Sequence, residues 1–464
     1  MILSLLITAL PLAAAVRIPA IFSDGMVLQR GKPVAIFGWA DPGEKVIVSF
    51  AGRNEETTTG KDGHWIVHLK TMDASNLGQE LTVRGQNTIT IKDVLVGEVW
   101  HCAGQSNMGM KLSGVYDFDL VMKESEDPLL RHYRIDDKPS EQPADDTFMP
   151  HAWTAASPKT VGRFTATGYF FAMELRRELK VPVGLINTSM GGTVVEVWLP
   201  AEGFKALEGK ITPREQGKTS LFFNARVNPI IPFTLRGVIW YQGCSNSLTD
   251  EDEYVNMTEE LIRGWRKMWN DDFPFFYVQF QGYDKFGHVY ARLRESQARF
   301  LEVPGTAMAV TIDVGGSNLH SENKLDIGKR LALAALALTY GRKCEFSGPI
   351  YRSLEIKDGG KMHVTFDHVG SGLICGTKTR LESVKEGKDG IVGNFQLAGK
   401  DGKYYDANGV IDGDAVIVSS PDVPAPVSIR YLFTAMPIAE QTLLYNKEGL
   451  PAGPFRTDNF PRVD

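Results

Sequence analysis

The chain has 464 residues, of which 43% are hydrophobic and 23% are charged, and its formal net charge is −6. This length exceeds one typical hydrophobic core, so we expect two or three domains of a soluble globular protein. The sequence contains no strong basic run, which argues against nucleic acids and anionic membrane surfaces as partners.

The first residues, MILSLLITALPLAAA, have the apolar pattern of a secretory signal peptide. Ala13, Ala14 and Ala15 fit a small-residue cleavage site, which predicts a signal peptide over residues 1–15. No Lys or Arg precedes the apolar run, and a buried N-terminal strand is the alternative. The run is shorter than the ~20 residues that a membrane span needs. We therefore expect a secreted or periplasmic protein without a membrane span after signal removal.

Residues 16–95 show short β-rich runs separated by turn signals. The segment KPVAIFGWADPGEKVIVSFAG has two such runs around Asp41-Pro42-Gly43, and GKDGHWIVHLKTM repeats the pattern. No helical period interrupts these runs. This region is therefore predicted to form a β-sandwich.

Between residues 96 and 344, apolar strand-like runs alternate with helical stretches such as VNMTEELIRGWRKMW. This alternation predicts a doubly wound parallel sheet covered by helices on both faces. Such sheets bind ligands beyond the carboxyl ends of their strands. Three of the runs end in polar or glycine-rich segments, which are AGQSN, NTSMGG and QGCSN. We expect these three segments to meet in one site.

Residues 345–464 return to β-rich text with Asp-Gly, Asn-Gly and Gly-Asp turns, which predicts a C-terminal β region. The four cysteines of the chain show no CxxC spacing, so neither a zinc site nor a dense disulfide framework is expected. A disulfide between Cys344 and Cys375 is left open by the sequence, and so is the oligomeric state.

Ser106, in VWHCAGQSNMGMKL, lies between a predicted strand and a stretch that can begin a helix. Backbone N–H groups at such a junction can stabilise a developing oxyanion. The surrounding pattern is G-x-S-x-M, so it is not the G-x-S-x-G elbow of other serine hydrolases. Taken by itself, Ser106 is either a nucleophile or a capping serine.

Four blocks, in order, resemble the sialate O-acetylesterase family of SGNH-type hydrolases: GQSNM, INTSMGGTVVEVW, RGVIWYQGCSN and HSENKLDIGKRLALAALA. The flanking segments IFSDGMVLQRGKPVAIFGWADPGEKV and LLYNKEGLPAGPFRTDNF are similar to the β regions of the same family. The resemblance covers nearly the whole chain after the signal peptide. It implies an α/β fold with a central SGNH-hydrolase (flavodoxin-like) parallel sheet, flanked by N-terminal and C-terminal β-sandwich regions.

By position in these blocks, the resemblance implies that Ser106 is the nucleophile and His320 is the general base. The backbone N–H of Gly191, with Gly192 as a second candidate, and the side chain of Asn246 would form the oxyanion hole. No metal or other cofactor is implied. The polar residues expected to bind the substrate are Gln105, Asn107 and Gln242.

This sequence departs from the family pattern at two positions. Cys244 stands where many relatives have Glu, and Asn318 and Ser317 precede His320 where relatives tend to have Asp. A base without an orienting acid can lose a factor of about 10⁴ in rate. Asp313 as the triad acid, Glu322 in that role, and a Ser–His dyad all remain open. Ser321 is expected to cap a helix that begins near Glu322.

The resemblance implies a secreted carbohydrate O-acetylesterase, similar to a sialate 9-O-acetylesterase, which forms an acetyl-enzyme on Ser106. Its partner would be an O-acetylated sugar or glycan. An esterase for acetylxylan or another polysaccharide is one alternative. A carbohydrate-binding homologue with weakened catalysis is the other, because both common acidic partners are missing.

Overall fold

A computed structural model describes residues 15–148, 152–211, 219–285 and 287–459 of the chain. The predicted signal peptide lies outside the described residues except for Ala15. No helix in the described ranges is long and apolar enough to cross a membrane.

The strands of the N-terminal region pair antiparallel, except that β1 runs parallel to β7, and β2 pairs with β5 in a separate two-stranded sheet. The pairing of β3 with β4 and β6, and of β6 with β7, joins the remaining strands to the large central sheet. The sandwich predicted here stays a prediction. The strands are β1 (Val27–Gln29), β2 (Val34–Trp39), β3 (Lys45–Phe50), β4 (Arg53–Thr58), β5 (His64–Leu69), β6 (Ser75–Arg84) and β7 (Thr88–Gly104).

Strand β7 runs from the N-terminal region into the centre of the molecule. Its first six residues are mostly exposed or half-buried, whereas every residue from Val94 to Gly104 is buried. Continuous burial is typical of a parallel strand that is covered on both faces. The domain boundary predicted at residues 95 and 96 therefore lies inside one uninterrupted strand.

The predicted parallel sheet is confirmed, with the strand order β13-β12-β11-β7-β10-β8-β9. All neighbours in this order are parallel except the edge strand β9, which is antiparallel to β8. The strand order reverses at β7, which is where doubly wound sheets place their ligand sites. The further strands are β8 (Asp127–Arg134), β9 (Thr154–Ala156), β10 (Val183–Asn187), β11 (Gly237–Tyr241), β12 (Phe275–Val278) and β13 (Thr306–Ala309).

Helices cover both faces of this sheet, as two adjacent residues of β7 show. Trp100 packs against Phe171 on one face, while His101 stacks on Trp265 on the other. Side chains alternate across a strand, so the two helices that carry these partners lie on opposite sides. The helices are α1 (Ser106–Gly109), α2 (Phe118–Lys123), α3 (Ala166–Leu179), α4 (Ala201–Ala206), α5 (Glu251–Trp269), α6 (His288–Arg299) and α7 (Lys324–Ala334).

Short helical turns fill several connections between these elements. The 3-10 turns are Leu112–Gly114, Val161–Arg163, Val195–Trp198, Asn228–Ile230, Cys244–Asn246, Phe300–Glu302 and Ile312–Val314, and the π-helical turns are Phe223–Val227 and Ala335–Thr339.

The C-terminal region is β-rich, as predicted, and its strands form two antiparallel sheets around a separate buried apolar cluster. The larger sheet has the order β14-β15-β20-β19-β18-β21-β23, and the smaller has β17-β16-β22. Cys344 and Cys375 are both free thiols, so they do not pair. The strands are β14 (Ile350–Lys357), β15 (Lys361–Asp367), β16 (Leu373–Thr377), β17 (Lys385–Glu386), β18 (Ile391–Ala398), β19 (Tyr404–Asp412), β20 (Ala415–Ser419), β21 (Ser428–Tyr431), β22 (Leu443–Asn446) and β23 (Phe455–Arg456).

Candidate active site

Ser106 is the first residue of α1 and follows the carboxyl end of β7 by two residues. The chain turns sharply at Gly104, whose φ of +121° is unfavourable for residues with a Cβ. A Cβ at Gly104 would also lie 2.4 Å from the Tyr241 carbonyl oxygen. Gly104 therefore lets the backbone pass close to β11 and leaves Ser106 half-buried at the edge of the sheet.

Gly191 lies directly beside Ser106. A Cβ built on Gly191 would be 3.4 Å from the Ser106 Cβ. Within the described ranges, the backbone N–H groups of Ser106 and Gly191 have no hydrogen-bond acceptor. Two free N–H groups next to a serine hydroxyl can stabilise the oxyanion that forms when the serine attacks a carbonyl.

The loop that carries Gly191 is held by hydrogen bonds to its backbone. The Met190 N–H donates to the Gly104 carbonyl over 3.0 Å, and the Thr193 hydroxyl donates to the Met190 carbonyl over 2.8 Å. The buried Arg226 guanidinium donates to the carbonyls of Thr188 and Ser189. Burial lowers the pKa of Arg226 to about 10, so the group is still charged at neutral pH.

His320 lies on the loop before α7, and this loop is tied to α1. The Asn107 side chain, adjacent to Ser106, donates to the Leu319 carbonyl over 3.1 Å. The His320 Nε2 atom is buried and has no hydrogen-bond partner in the described part of the chain. Burial, followed by the positive charge of Lys324, lowers the pKa of His320 below its usual value of 6.5. The structure thus joins the segments of the candidate nucleophile Ser106 and the candidate base His320, without a hydrogen bond between the two side chains.

The structure does not bring Asp313 to His320, contrary to one of the three alternatives. The Asp313 carboxylate is fully buried and forms a bidentate ion pair with Arg330, with distances of 2.6 and 2.7 Å. The second candidate acid, Glu322, hydrogen-bonds to Tyr116 instead. Among the described residues no carboxylate contacts His320, and the Ser–His dyad remains a prediction.

The helix after His320 begins later than expected. Asn323 caps α7 by accepting a hydrogen bond from the Asp326 N–H, and the helix starts at Lys324. Ser321 instead donates its hydroxyl to the Val314 carbonyl. The predicted cap at Ser321 is therefore wrong by two residues, because its hydroxyl is used within the loop.

The structure also corrects the role expected for Asn246. Its buried side-chain amide donates to Glu196 Oε2 over 2.9 Å and to the Thr249 hydroxyl over 3.3 Å. Its carbonyl oxygen accepts from the Val195 N–H and from Gln242. With both amide hydrogens occupied, Asn246 organises the loop after Gly191 and has no free donor for an oxyanion.

The three residues expected to bind the substrate are buried and bonded internally. Gln105 accepts a hydrogen bond from the Gly243 N–H over 3.0 Å, which joins the first block to the third. Gln242 donates to the Thr193 carbonyl and to Asn246. Asn107 joins α1 to the His320 loop, as described above. These residues therefore position the site, and the sequence could not distinguish internal partners from a ligand.

Cys244 is half-buried, and its sulfur lies 2.8 Å from the hydroxyl of Tyr290 in α6. Burial raises the pKa of the Cys244 thiol. Cys244 makes no contact with His320 in the described structure. Position 244 was expected to lie beside His320, and the structure shows no direct contact between the two residues.

Lys324 was not singled out by the sequence reading. Its ammonium group is fully buried and donates to Asn107 Oδ1 over 2.5 Å. It also lies 4.8 Å from the centre of the Tyr241 ring. Helical periodicity in the sequence could have revealed the burial of Lys324, because this residue shares one face of α7 with the buried residues Ile327 and Leu331. A lysine on an apolar helix face is unusual, so this pattern identifies Lys324 as a candidate functional residue.

No group of three or more metal-ligating side chains occurs in the described part of the chain. The candidate site contains one serine, one histidine, backbone N–H groups without an acceptor and the buried polar residues that hold them. Such a group of residues at the edge of a doubly wound sheet is typical of esterases.

Comparison with known proteins narrows this class. Residues 96–337 match the family model described as carbohydrate esterase, sialic acid-specific acetylesterase. The chain is 28% identical to the sialate O-acetylesterase of Mus musculus over 429 residues, which cover 76% of this chain and 79% of that protein. The corresponding human enzyme is 28% identical over 388 residues, with 73% and 74% coverage.

A solved structure extends the likeness to nearly the whole chain. The crystal structure of a carbohydrate acetylesterase from Xanthomonas citri has 36% sequence identity and a TM-score of 0.86. The match covers 96% of this chain and 100% of that structure. This chain belongs to the carbohydrate esterase family of sialic acid-specific acetylesterases.

Proposed function

We propose that this protein hydrolyses acetyl esters on sugars through an acetyl-enzyme on Ser106. The observation that carries the proposal is that Ser106 and Gly191 lie side by side and that the backbone N–H groups of both residues have no acceptor. Family membership supports the same chemistry. His320 acts as the general base and then as the general acid.

In the first half of the reaction, the Ser106 oxygen attacks the acetyl carbonyl carbon while His320 takes the hydroxyl proton. The bond between the carbonyl carbon and the sugar oxygen then breaks, and His320 returns the proton to that oxygen. In the second half, water attacks the acetyl group on Ser106 as His320 accepts a proton. Acetic acid leaves and loses its proton to the solvent, and His320 returns the other proton to the Ser106 oxygen.

The substrate that we propose is an acetylated sugar that carries a carboxylate, as sialic acids do. A cavity of about 510 Å³ is lined by Lys111, two residues beyond the end of α1, and by the ion-paired Arg134 and Asp136. Lys111, Lys159 and Arg163 line this cavity and make no ion pair with any described residue. Cavities of this size accommodate small ligands, and unpaired cations favour an anionic one.

Release of acetate from acetylated sugars tests the reaction. We expect wild-type protein to release p-nitrophenol from its acetate ester and acetate from an acetylated sugar. Ser106→Ala should lose about 10⁶ in kcat while remaining folded. The exposed Ser113→Ala is the matched control and should keep the wild-type rate. A Ser106→Ala variant with half of the wild-type rate would exclude Ser106 as the nucleophile.

A panel of acetylated glycans tests the substrate class. We expect a higher kcat/KM for acetylated sialic acid than for acetylated xylan, which lacks the sialate carboxylate. Lys159→Met and Arg163→Met should raise KM for the acidic sugar and leave the rate on p-nitrophenyl acetate unchanged. Equal or better activity on acetylxylan would favour the polysaccharide esterase instead.

One observation favours a second candidate, which is a weakened esterase that mainly binds carbohydrate. His320 has no acidic partner within the described ranges, so its tautomer is not held by a carboxylate. Such a protein would bind acetylated sugars with micromolar or tighter affinity but turn them over no faster than Ser106→Ala. Parallel measurement of binding and turnover separates the two functions.

We also propose that the protein is exported and processed after Ala15, on the basis of its N-terminal sequence alone. The test is the N-terminal mass of the protein recovered outside the cytoplasm after expression of the full chain. An unprocessed N-terminus would contradict this proposal.

A further inference from the structure

Lys324 is a fully buried cation whose charge no carboxylate of the described structure balances. Its polar contacts are the Asn107 side-chain oxygen, at 2.5 Å, and the face of the Tyr241 ring, at 4.8 Å. Burying an unpaired ammonium group is costly, and lysines in such places are often functional. Burial lowers the pKa of Lys324 to about 7, so the group can be charged or neutral near neutral pH.

We propose that Lys324 is a positioning residue of the esterase reaction, which sets the orientation of the Asn107 amide and places a positive charge beside the loop that carries His320. This inference rests on the proposed function. It assigns Lys324 no contact with the substrate.

The positioning argument follows from the two ends of the Asn107 amide. An ammonium group can only donate hydrogen bonds, so it holds the Asn107 oxygen towards Lys324. The Asn107 NH₂ group is thereby directed to the Leu319 carbonyl, 3.1 Å away. Asn107 is bonded covalently to Ser106, and Leu319 to His320. One side chain thus connects the backbones of nucleophile and base, and Lys324 determines which way it points.

A second tie supports the same loop. Gln281 donates to the Leu319 carbonyl over 2.6 Å and accepts from the Tyr241 hydroxyl over 2.5 Å. Tyr241 is the residue whose ring lies against Lys324. Lys324 therefore contacts both chains of hydrogen bonds that end at the Leu319 carbonyl.

The electrostatic argument requires the charges around His320 to be counted. The carboxylates near the start of α7 are engaged elsewhere: Glu322 with Tyr116, Asp326 with Lys378, and Asp313 with Arg330. Arg380 pairs with Asp117 and stacks on Tyr116. Tyr241 is neutral, because burial raises the pKa of its hydroxyl. Lys324 is the charge that lowers the pKa of His320, after burial itself.

The main test compares Lys324→Met with Lys324→Gln. Methionine removes the hydrogen bond and the charge, whereas glutamine keeps a donor but removes the charge. We expect kcat of Lys324→Met to fall roughly 10- to 100-fold, with a smaller change in KM, because nucleophile and base are no longer held together. Lys324→Gln should lose less kcat.

The pH profile separates positioning from a purely structural role. In both variants the acid limb of kcat/KM should move to higher pH by roughly half a unit to one unit, because His320 loses its cationic neighbour. Lys329→Met, on the same helix but beside a different cavity, is the matched control and should leave kcat and the profile unchanged.

NMR titration of the His320 ring gives a readout that does not need turnover. With His320→Asn to assign the signal among the nine histidines, the His320 pKa should rise in both Lys324 variants. If the wild-type protein has no turnover but this shift occurs, the proposed reaction fails and the role of Lys324 in keeping His320 neutral stands.

An unchanged His320 pKa and an unmoved acid limb in a folded Lys324→Met variant would overturn the proposal, as would an unchanged kcat. Should neither variant fold, Asn107→Leu breaks the same connection from its other end, and an unchanged kcat in that variant would overturn the proposal.

Discussion

The Cβ that Gly191 lacks would stand 3.4 Å from the Cβ of Ser106. This is ordinary van der Waals contact, and Gly191 does not require the left-handed backbone conformation. Folding therefore does not require a glycine at position 191. The lack of a side chain at this position instead leaves space open beside the Ser106 hydroxyl.

This relationship predicts that Gly191→Ala folds normally but loses activity. The added methyl group would stand beside the serine where the acetyl group must lie, and we expect kcat/KM to fall roughly 10²-fold. Gly453→Ala, whose added Cβ would meet only Val310 at 3.7 Å, is the control. Kinetics together with thermal unfolding check this. An active Gly191→Ala would mean that the acyl group binds elsewhere.

Asp313→Asn is expected to affect stability and not catalysis. It would leave the buried Arg330 without its carboxylate, at a cost of about 3–5 kcal/mol in the free energy of unfolding. Below the unfolding temperature, kcat should stay within a few-fold of wild type. The double variant Asp313→Asn with Arg330→Met should recover part of the stability. A loss of about 10³ in kcat without destabilisation would instead restore Asp313 as the triad acid.

Cys244→Glu is expected to raise the rate. Cys244 contacts Tyr290 and is electrostatically coupled to Tyr241, whose ring lies against Lys324, so a carboxylate here would act on His320 through space and not by contact. Without a contact, the stabilisation of the imidazolium is about 1–2 kcal/mol, which corresponds to roughly 10-fold in kcat. Cys244→Gln, which has the same shape without the charge, should give no increase. A folded but inactive Cys244→Glu would show that this position cannot support the base.

His101 predicts how stability depends on pH. Complete burial lowers its pKa to about 3, whereas the unfolded chain titrates near 6.5. The unfolded state therefore binds more protons between these values, and the free energy of unfolding should decrease as pH falls from about 6.5 towards 3.

His101→Phe keeps a ring against Trp265 but removes the titrating group. We expect this variant to be less stable at neutral pH, because the Thr188 hydroxyl loses its partner at 2.8 Å. Its stability should nevertheless decline less steeply on acidification. Urea unfolding at several pH values measures both effects, and an unchanged slope would show that other groups dominate acid unfolding.

The sequence by itself determined the alternation of strand and helix in the central region, the β character of the flanks, and the arrival of the Ser106 and Gly191 segments at one sheet edge. These features depend on local periodicity and on the rule that parallel strands present their carboxyl ends together, and both can be read along the chain.

Only the tertiary structure decided which polar side chains are free. Asn246, Gln242, Gln105 and Asn107 all carry amides that suit an oxyanion or a sugar, yet each is bonded to residues far away in sequence. Asp313 has the charge of a triad acid, but its carboxylate is engaged in an ion pair with Arg330. Lys324 lies on an apolar helix face, and its partner Asn107 is 217 positions away. Whether a polar side chain forms a hydrogen bond depends on its distance from a partner and on its direction in space. Neither quantity can be read from the residue type.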